Sequence, residues 1–224
     1  MKTKKISLIA GISVCALIVL FTVVYAAITN AFVTAQEYLP PCDIEESYAR
    51  DAIEWAVRGR LMDVETVDGQ AYFSPKSKVT RGEMAKILAC YLEIDVRAYE
   101  DGAVGFADEA QIPAELLPYV RAAVSGGYVK LFSDYTYRAS ATLTREETAD
   151  IFAPLCGESA ATGKSTQFSD IAEVGLYFEE SVKKLVDLEL LIGYPDGKLR
   201  PKNEITREEL AMLLYRLSLM KKSS

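Results

Sequence analysis

The sequence contains no histidine, and this absence excludes several kinds of catalytic site. Without an imidazole there is no Ser-His-Asp or Cys-His catalytic arrangement and no HExxH zinc site. The 224 residues include only four cysteines and one tryptophan, and no two cysteines have the CxxC spacing of a metal site. The sequence therefore predicts no metal, no cofactor and no catalytic residue of these classes.

Positive charge is also scarce. The chain has 25 Lys and Arg residues against 32 Asp and Glu residues, which gives a net charge of -7. A protein that binds nucleic acid would present a net basic surface to neutralise phosphates. We therefore predict no nucleic-acid partner. Because 50% of the residues are hydrophobic, the chain has enough apolar surface to build a core.

Residues 1–35 have the pattern of an export signal. Three lysines precede residues 6–28, which carry no charge and are almost wholly apolar. Residues 33–35 resemble a cleavage site ahead of Gln36, whereas an apolar run of this length could instead span a bilayer as an uncleaved anchor. In both cases the remainder of the chain is predicted to be exported. That exported part is acidic, with 22 basic and 32 acidic residues and a net charge of -10.

The most informative feature is an internal repeat of about sixty residues. A Thr-Arg-x-Glu element occurs three times, and after each copy apolar residues return at the spacing of an amphipathic helix. A second amphipathic segment precedes each copy, roughly at residues 47–62, 114–129 and 176–192. Each unit is thus predicted to be a helix, a turn-rich loop and a second helix. The three units are residues 38–96, 104–157 and 166–220, and the loop of the first is about four residues longer.

The Thr-Arg-x-Glu element has the residues of a helix-capping box. In a capping box the threonine hydroxyl accepts a hydrogen bond from the amide of the glutamate, and the glutamate side chain accepts one from the threonine amide. The predicted pairs are Thr80 with Glu83, Thr144 with Glu147, and Thr206 with Glu209. Capping accounts for the threonine and the glutamate without any ligand.

Capping does not account for the arginine, which is Arg81, Arg145 or Arg207 in the three copies. A cation at a helix start meets the positive end of the helix dipole, which costs roughly 0.3 to 1 kcal/mol. Each arginine could pair with an acidic residue of a neighbouring unit. Alternatively, the guanidinium group and the helix-start amides could bind an external anion, and we favour this second interpretation.

At these positions the chain resembles the S-layer homology domain family. The resemblance rests on the three Thr-Arg-x-Glu elements, on Phe-x-Asp sequences that begin at Phe106 and Phe168, and on the turn at residues 193–197. It implies a mainly α fold in which three helix-loop-helix repeats form a pseudo-threefold helical bundle, here preceded by an N-terminal hydrophobic helix. It also implies non-covalent attachment of an exported protein to a bacterial cell-wall polysaccharide that is anionic and typically pyruvylated.

The resemblance further implies a set of glycan-binding residues, because the motif arginine of this family recurrently contacts the carboxylate of the ligand. The candidates are Arg81, Arg145, Arg207, Asp170, Gly193, Tyr194 and Trp55. Only the third unit matches the family pattern throughout, so sites that involve Arg207 are expected first. The middle unit has Pro154 late in its second helix, where proline should end or kink the helix.

Two other functions fit the sequence. The units could mediate self-association in a structural envelope protein, or the chain could be a surface enzyme that acts on glycans with two of its many carboxylates. The repeats occupy nearly all of the exported part and leave no span for a separate catalytic domain. An enzymatic role is therefore not predicted, and the oligomeric state is left open.

Overall fold

A computed structural model of the protein describes residues 38–100, 105–157 and 163–223. The export segment, its predicted hydrophobic helix and the predicted membrane contact at residues 6–28 all lie outside these ranges. Within them the chain is mainly helical, as predicted. No helix in the described part of the chain is both long enough and apolar enough to span a membrane.

Each unit contributes two α-helices separated by a loop. The helices are α1 (Arg50–Arg58), α2 (Arg81–Tyr91), α3 (Leu117–Ser125), α4 (Arg145–Phe152), α5 (Glu179–Asp187) and α6 (Arg207–Ser223). The longer loop of the first unit forms an antiparallel hairpin of β1 (Glu65–Val67) and β2 (Gln70–Tyr72), with Thr66 opposite Ala71. Helix α4 ends at Phe152, two residues before Pro154, as the proline predicts.

The first helix of each unit is shorter than the amphipathic pattern suggests. Helices α1, α3 and α5 have nine residues each. Soon after each helix the backbone enters the left-handed region, at Arg60 (φ 56°), Gly127 (φ 71°) and Glu189 (φ 58°). A left-handed residue cannot continue a right-handed helix, so the apolar residues beyond it lie in the loop.

The helices pack across the boundaries between units. Helix α2 packs against α3, α4 packs against α5, and α6 packs against α1. The second helix of each unit is therefore the partner of the first helix of the next unit, and the last helix returns to the first. As a result, Pro40–Ser224 forms one compact unit.

Three backbone segments meet at the centre of this arrangement. The amide of Val79 donates to the carbonyl of Ile205 (3.1 Å), Leu143 donates to Val79 (3.1 Å), and Ile205 donates to Leu143 (2.9 Å). All three side chains are buried. The bonds form a closed cycle in which each unit donates to one neighbour and accepts from the other, so no buried amide at the centre is left unsatisfied.

An aspartate near the start of each unit holds the segment that follows the loop. Its two oxygens accept from two successive backbone amides, at 2.6 to 2.8 Å: Asp43 from Phe73 and Ser74, Asp108 from Tyr137 and Arg138, Asp170 from Leu199 and Arg200. The first unit lacks the Phe-x-Asp sequence, yet Asp43 makes the same contacts. The start of the first unit therefore has the same backbone contacts as the starts of the other two, although its sequence differs.

Buried glutamates join the units at two of the three junctions. The Glu146 carboxylate, 4% exposed, accepts from Lys202 Nζ (2.6 Å) and from the Gly175 amide (2.9 Å) of the third unit. Glu208 binds Ser47 Oγ (2.8 Å) and the Lys76 ammonium of the first unit. At the remaining junction Gly82 stands at the position of the glutamate and Ser140 at the position of the lysine. This junction therefore lacks both members of the ion pair.

Grooves between the units as the candidate functional site

Each predicted capping pair makes both of its hydrogen bonds. The amide of the glutamate donates to Thr80, Thr144 or Thr206 Oγ1 at 3.2, 3.2 and 3.3 Å. The amide of the threonine donates to Oε2 of Glu83, Glu147 or Glu209 at 3.0, 2.7 and 3.0 Å. These boxes begin α2, α4 and α6 at the same place in each unit, and so they place the three motif arginines equivalently.

Each motif arginine reaches into the loop of the next unit in the cycle. The Nε and Nη2 atoms donate to two backbone carbonyls: Arg81 to Tyr137 (2.8 Å) and Lys130 (2.8 Å), Arg145 to Leu199 (2.9 Å) and Ile192 (2.5 Å), Arg207 to Phe73 (2.8 Å) and Asp63 (2.6 Å). Loop carbonyls therefore compensate for the unfavourable position of a cation at a helix start. Sequence reasoning anticipated acidic partners or an external anion, and backbone carbonyls as the main partners were missed.

The third guanidinium nitrogen, Nη1, differs among the three copies. In Arg207 it donates to Glu83 Oε1 at 2.7 Å, and in Arg145 it lies 3.4 Å from Glu209 Oε2. In Arg81 it makes no hydrogen bond or ion pair with any residue that the structure describes. The three arginines are thus equivalent in position but not in residual hydrogen-bonding capacity.

A groove of about 460 Å³ lies beside Arg145, and we call it the Arg145 groove. Its lining combines the loop of the third unit with α6 and with the start of the first unit: Tyr48, Lys76, Arg145, residues 190–195, Ile205, Glu208, Glu209, Met212 and Leu213. Two predicted glycan-binding residues, Gly193 and Tyr194, are brought together here with Arg145. The sequence patterns did not identify Tyr48 or Lys76 as members of this set.

Gly193 and Tyr194 have well-defined packing in the Arg145 groove. A Cβ atom on Gly193 would lie 2.1 Å from Phe168 Cε1, so only glycine fits there. The Tyr194 hydroxyl donates to Glu209, and the Arg145 guanidinium lies 5.0 Å from the centre of the Tyr194 ring. Burial, followed by the hydrogen bond to Glu209, raises the pKa of Tyr194 to about 12.

A second groove, of about 420 Å³, lies beside Arg81, and we call it the Arg81 groove. It is lined by residues from three parts of the chain: Arg81, residues 126–132, Leu143, Glu147, Asp150, Ile151, Pro154, Leu155 and the aromatic pair Tyr177 and Phe178. Lys130 stands at its edge, where Nζ donates to the Tyr177 hydroxyl and lies 3.4 Å from Asp150 Oδ2. The hydrogen bond to Tyr177 is the main cause that raises the pKa of Lys130.

The region beside Arg207 is bridged by an ion pair. Lys86 of α2 pairs with Asp63, the residue whose carbonyl accepts from Arg207. The Lys86 ammonium also lies 5.9 Å from the centre of the Tyr119 ring. All three guanidinium nitrogens of Arg207 have partners, so the copy that the sequence placed first has the fewest donors left for a ligand.

Besides Arg207, two predicted glycan-binding residues lie outside the Arg145 and Arg81 grooves. Both carboxylate oxygens of Asp170 accept backbone amides, and these bonds lower its pKa although burial acts to raise it. Trp55 packs edge-on against Tyr215, with ring centres 5.5 Å apart, where α1 meets α6. Binding of glycan by Asp170 and Trp55 stays a prediction.

The exposed tyrosines Tyr48 and Tyr177 are the aromatic residues that sequence reasoning missed. Each lies two residues before the first helix of its unit and lines one of the grooves. The middle unit has Glu115 at this place. Alignment of the first helices of the three units would have revealed the equivalence of these positions.

Comparison with known proteins agrees with the repeat structure. Residues 105–149 and 167–211 each match the S-layer homology domain. Among curated proteins, Cell surface glycoprotein 1 of Acetivibrio thermocellus is 29% identical over 154 residues, which are 64% of this chain and 6% of that protein. The Cellulosome-anchoring protein of the same organism is 32% identical over 92 residues, which are 40% of this chain and 20% of that protein.

A third relative is an Endoglucanase of Bacillus sp. (strain KSM-635), 24% identical over 163 residues, or 70% of this chain and 17% of that enzyme. The chain thus spans a fifth or less of the length of these three proteins. The matched family segments contain the second and third Thr-Arg-x-Glu elements together with the loops that receive Arg81 and Arg145. Residues 105–149 and 167–211 are therefore each similar to the S-layer homology domain.

Proposed function

We propose that this protein is exported and attaches non-covalently to the bacterial cell wall by binding an anionic, pyruvylated secondary polysaccharide. In this proposal residues 38–96 form a third repeat of the same kind, and the three repeats make a pseudo-threefold bundle. The equivalent contacts of Asp43, Thr80, Arg81 and Glu83 support the assignment of the first unit. The grooves between repeats are the proposed binding sites.

The observation that carries this proposal is the position of the motif arginines. Arg81 and Arg145 each line a groove that also contains a lysine and an exposed tyrosine from other parts of the chain. A guanidinium group binds carboxylates with directed hydrogen bonds, and tyrosine rings pack against the faces of sugars. The same grooves lie in the segments that match the S-layer homology domain, in a chain that is similar to parts of Cell surface glycoprotein 1 and of the Cellulosome-anchoring protein.

The charge of the exported part bears on how recognition would work. A net charge of -10 repels an anionic polymer at long range. At physiological ionic strength this repulsion is screened beyond about 8 Å, whereas contacts inside a groove are screened much less. Binding should therefore depend on local cations, and it should strengthen when salt is raised from a few millimolar to about 0.15 M.

Sedimentation with purified wall sacculi tests the proposal directly. The full-length protein should co-sediment with sacculi, and mild acid treatment that removes ketal-linked pyruvate should abolish most of this binding. Equal binding to both preparations would refute the role of the carboxylate. Absence of binding to untreated sacculi, together with a concentration-dependent rise in molecular mass, would favour the alternative of a self-associating envelope protein.

The N-terminal segment has a separate test, because residues 6–28 could act as a cleaved signal or as a membrane tether. A cleaved protein would begin at or near Gln36, and intact mass spectrometry of the protein from cells would show this. The full-length mass in the membrane fraction would support a tether instead. We propose no enzymatic role, since the similarity to the endoglucanase covers 17% of that enzyme.

A further inference from the structure

The loop of the middle unit has a bulky residue at a turn where the other two units have glycine. The second residue of this Asp-x turn is Gly69, Tyr135 or Gly197 in the three units. All three have left-handed backbone, with φ of 79°, 59° and 76°. Glycine adopts this conformation freely, whereas an aromatic side chain at positive φ is a strained outlier. Among the non-glycine residues with positive φ that the structure describes, Tyr135 is the one aromatic residue.

The turn itself does not require a tyrosine. The Tyr135 amide donates to the Phe132 carbonyl (2.9 Å), and the Tyr135 carbonyl accepts from the Ala107 amide (2.8 Å). Gly197 makes the equivalent two bonds in the third unit, at 3.0 and 3.1 Å. Both bonds use backbone atoms alone, so glycine forms the same turn without the strain. The bonds also fix the place from which the Tyr135 side chain projects.

The Tyr135 side chain adds no polar or ring contact to the fold. It is 70% exposed, and within the described ranges it has no hydrogen bond, no ring partner and no cation over its ring. Strain that the fold does not need is a reason to look for a function. On the basis of the proposed function, we infer that the Tyr135 ring is a stacking platform for a neutral pyranose residue of a wall glycan, outside the Arg81 and Arg145 grooves.

The charges beside Tyr135 favour a neutral ligand over an anionic one. Arg138 Nη2 donates to Asp134 Oδ2 at 2.8 Å, and both side chains are about half exposed. Hydrogen bonds from Thr136 and then from Arg138 lower the pKa of Asp134 to about 2, so this carboxylate is ionised at neutral pH. A second carboxylate, Asp108, lies behind the loop and accepts the Arg138 amide. The guanidinium is thus already opposed, and no excess positive charge is left for a ligand carboxylate.

A rigid, exposed tyrosine suits contact with a sugar. The ring offers a large apolar face with only two side-chain torsions to fix, and the turn already holds its backbone, so little conformational entropy is lost on binding. The C–H groups of a pyranose can pack on that face, and its hydroxyls can bond to the half-exposed Asp134 and Arg138. Tyr135 is absent from the lining of both grooves, so it would contact a sugar other than one bound there.

A variant with a relaxed turn tests this inference in the full-length protein. Tyr135→Gly introduces the residue of the other two turns, and it should leave the thermal midpoint unchanged or raise it because the strain is relieved. The same variant should bind untreated wall sacculi about tenfold more weakly, equivalent to about 1.4 kcal/mol. Tyr135→Phe keeps the ring and should bind as the wild type does. A residue with only a structural role would not combine equal or greater stability with weaker binding.

An exposed apolar residue elsewhere provides the matched control. Leu176 is 87% exposed and does not line either groove, so Leu176→Ala should leave the affinity within about twofold.

Two treated preparations identify the source of the sugar. Sacculi without pyruvate ketals keep the neutral sugars of the polysaccharide, and sacculi stripped of this polysaccharide keep only peptidoglycan. The affinity ratio of wild type to Tyr135→Gly should persist in the first preparation. Persistence in the second as well would assign the ring to peptidoglycan, whereas its loss there would assign the ring to the polysaccharide. A ratio that disappears with the ketals alone would overturn the neutral ligand.

The remaining outcomes separate this inference from the proposed function. Equal binding of untreated sacculi by the wild type and by Tyr135→Gly would overturn the stacking platform and leave wall attachment intact. A lower thermal midpoint in Tyr135→Gly would show that the tyrosine supports the fold, and loss of self-association in place of wall binding would assign the ring to contact with protein; both results would overturn the inference. A wild-type protein that binds no sacculi would overturn the proposed function as well.

Discussion

Replacement of Arg207 by alanine should destabilise the fold far more than it affects recognition of the wall. Arg207 joins the third unit to the first and so closes the cycle of units. Its three nitrogens donate to the Phe73 carbonyl (2.8 Å), the Asp63 carbonyl (2.6 Å) and Glu83 Oε1 (2.7 Å). The substitution removes all three bonds and leaves a buried carbonyl at Phe73 without this donor.

The size of the effect follows from these contacts. A hydrogen bond that involves a charged group contributes roughly 1.5 to 3 kcal/mol, and removal of one partner of a buried ion pair costs roughly 3 to 5 kcal/mol. The three bonds share one side chain and are not additive, and Glu83 is about one-third exposed. We therefore expect Arg207→Ala to lower the free energy of unfolding by about 3 to 4 kcal/mol.

Equilibrium unfolding in urea, followed by far-UV circular dichroism, measures this loss. Arg216→Ala is the matched control, because Arg216 lies on the same helix and makes one exposed hydrogen bond, to the Glu189 carbonyl at 3.1 Å. It should change the free energy by about 0.5 kcal/mol or less. A loss below about 1 kcal/mol for Arg207→Ala would refute the structural role. Reduced binding to sacculi by folded Arg207→Ala protein would show that this arginine also contacts the polymer.

Three further predictions concern the junctions and the Arg145 groove. Glu146→Ala should cost about 2 to 3 kcal/mol, since it leaves a backbone amide without its acceptor. Lys202→Ala should cost less, about 1 to 2 kcal/mol, because the Lys202 side chain is half exposed and the Gly175 amide still donates to the buried Glu146 carboxylate; equal losses in urea unfolding would refute the distinction. Gly193→Ala should lower the thermal midpoint by several degrees, because the added Cβ would clash with the Phe168 ring, and an unchanged midpoint would show that the ring moves freely. Tyr194 keeps its proton to about pH 12 in the folded protein but loses it near pH 10 when unfolded, so stability should fall as pH rises from 10 to 12. Tyr194→Phe should reduce this decline in urea unfolding measured at several pH values, and an equally steep decline would assign it to other groups.

The repeat was readable from sequence because it depends on local rules. A capping box needs a threonine and a glutamate three residues apart, and an amphipathic helix needs apolar residues at fixed spacing. These requirements hold within one turn or two of a helix and do not depend on the remainder of the chain. The helix starts at Arg81, Arg145 and Arg207, and the end of α4 before Pro154, therefore agree with prediction.

The sequence did not show in the same way that the start of the first unit is equivalent to the starts of the other two. Asp43 replaces the Phe-x-Asp aspartate in position and in contacts, although Pro41 and Cys42 precede it. The contact joins residues thirty positions apart, so no local pattern reveals it. Likewise, the longer loop of the first unit contains a hairpin in which β1 and β2 pair with each other, where the sequence predicted only a turn-rich loop.

By itself, the sequence determined the helix-loop-helix pattern, the capping residues and the resemblance to the S-layer homology domain family. Only the tertiary structure decided which unit each helix packs against and what each motif arginine bonds. The three arginines occupy the same position of the Thr-Arg-x-Glu element, and they differ in whether the motif glutamate of the next unit pairs with them. Glu83 pairs with Arg207 and Glu209 with Arg145, whereas Glu147 lines the groove beside Arg81 without forming an ion pair with it. Whether an arginine forms an ion pair depends on long-range packing. That packing pairs Arg207 with Glu83, whereas Arg81 bonds to backbone carbonyls through Nε and Nη2.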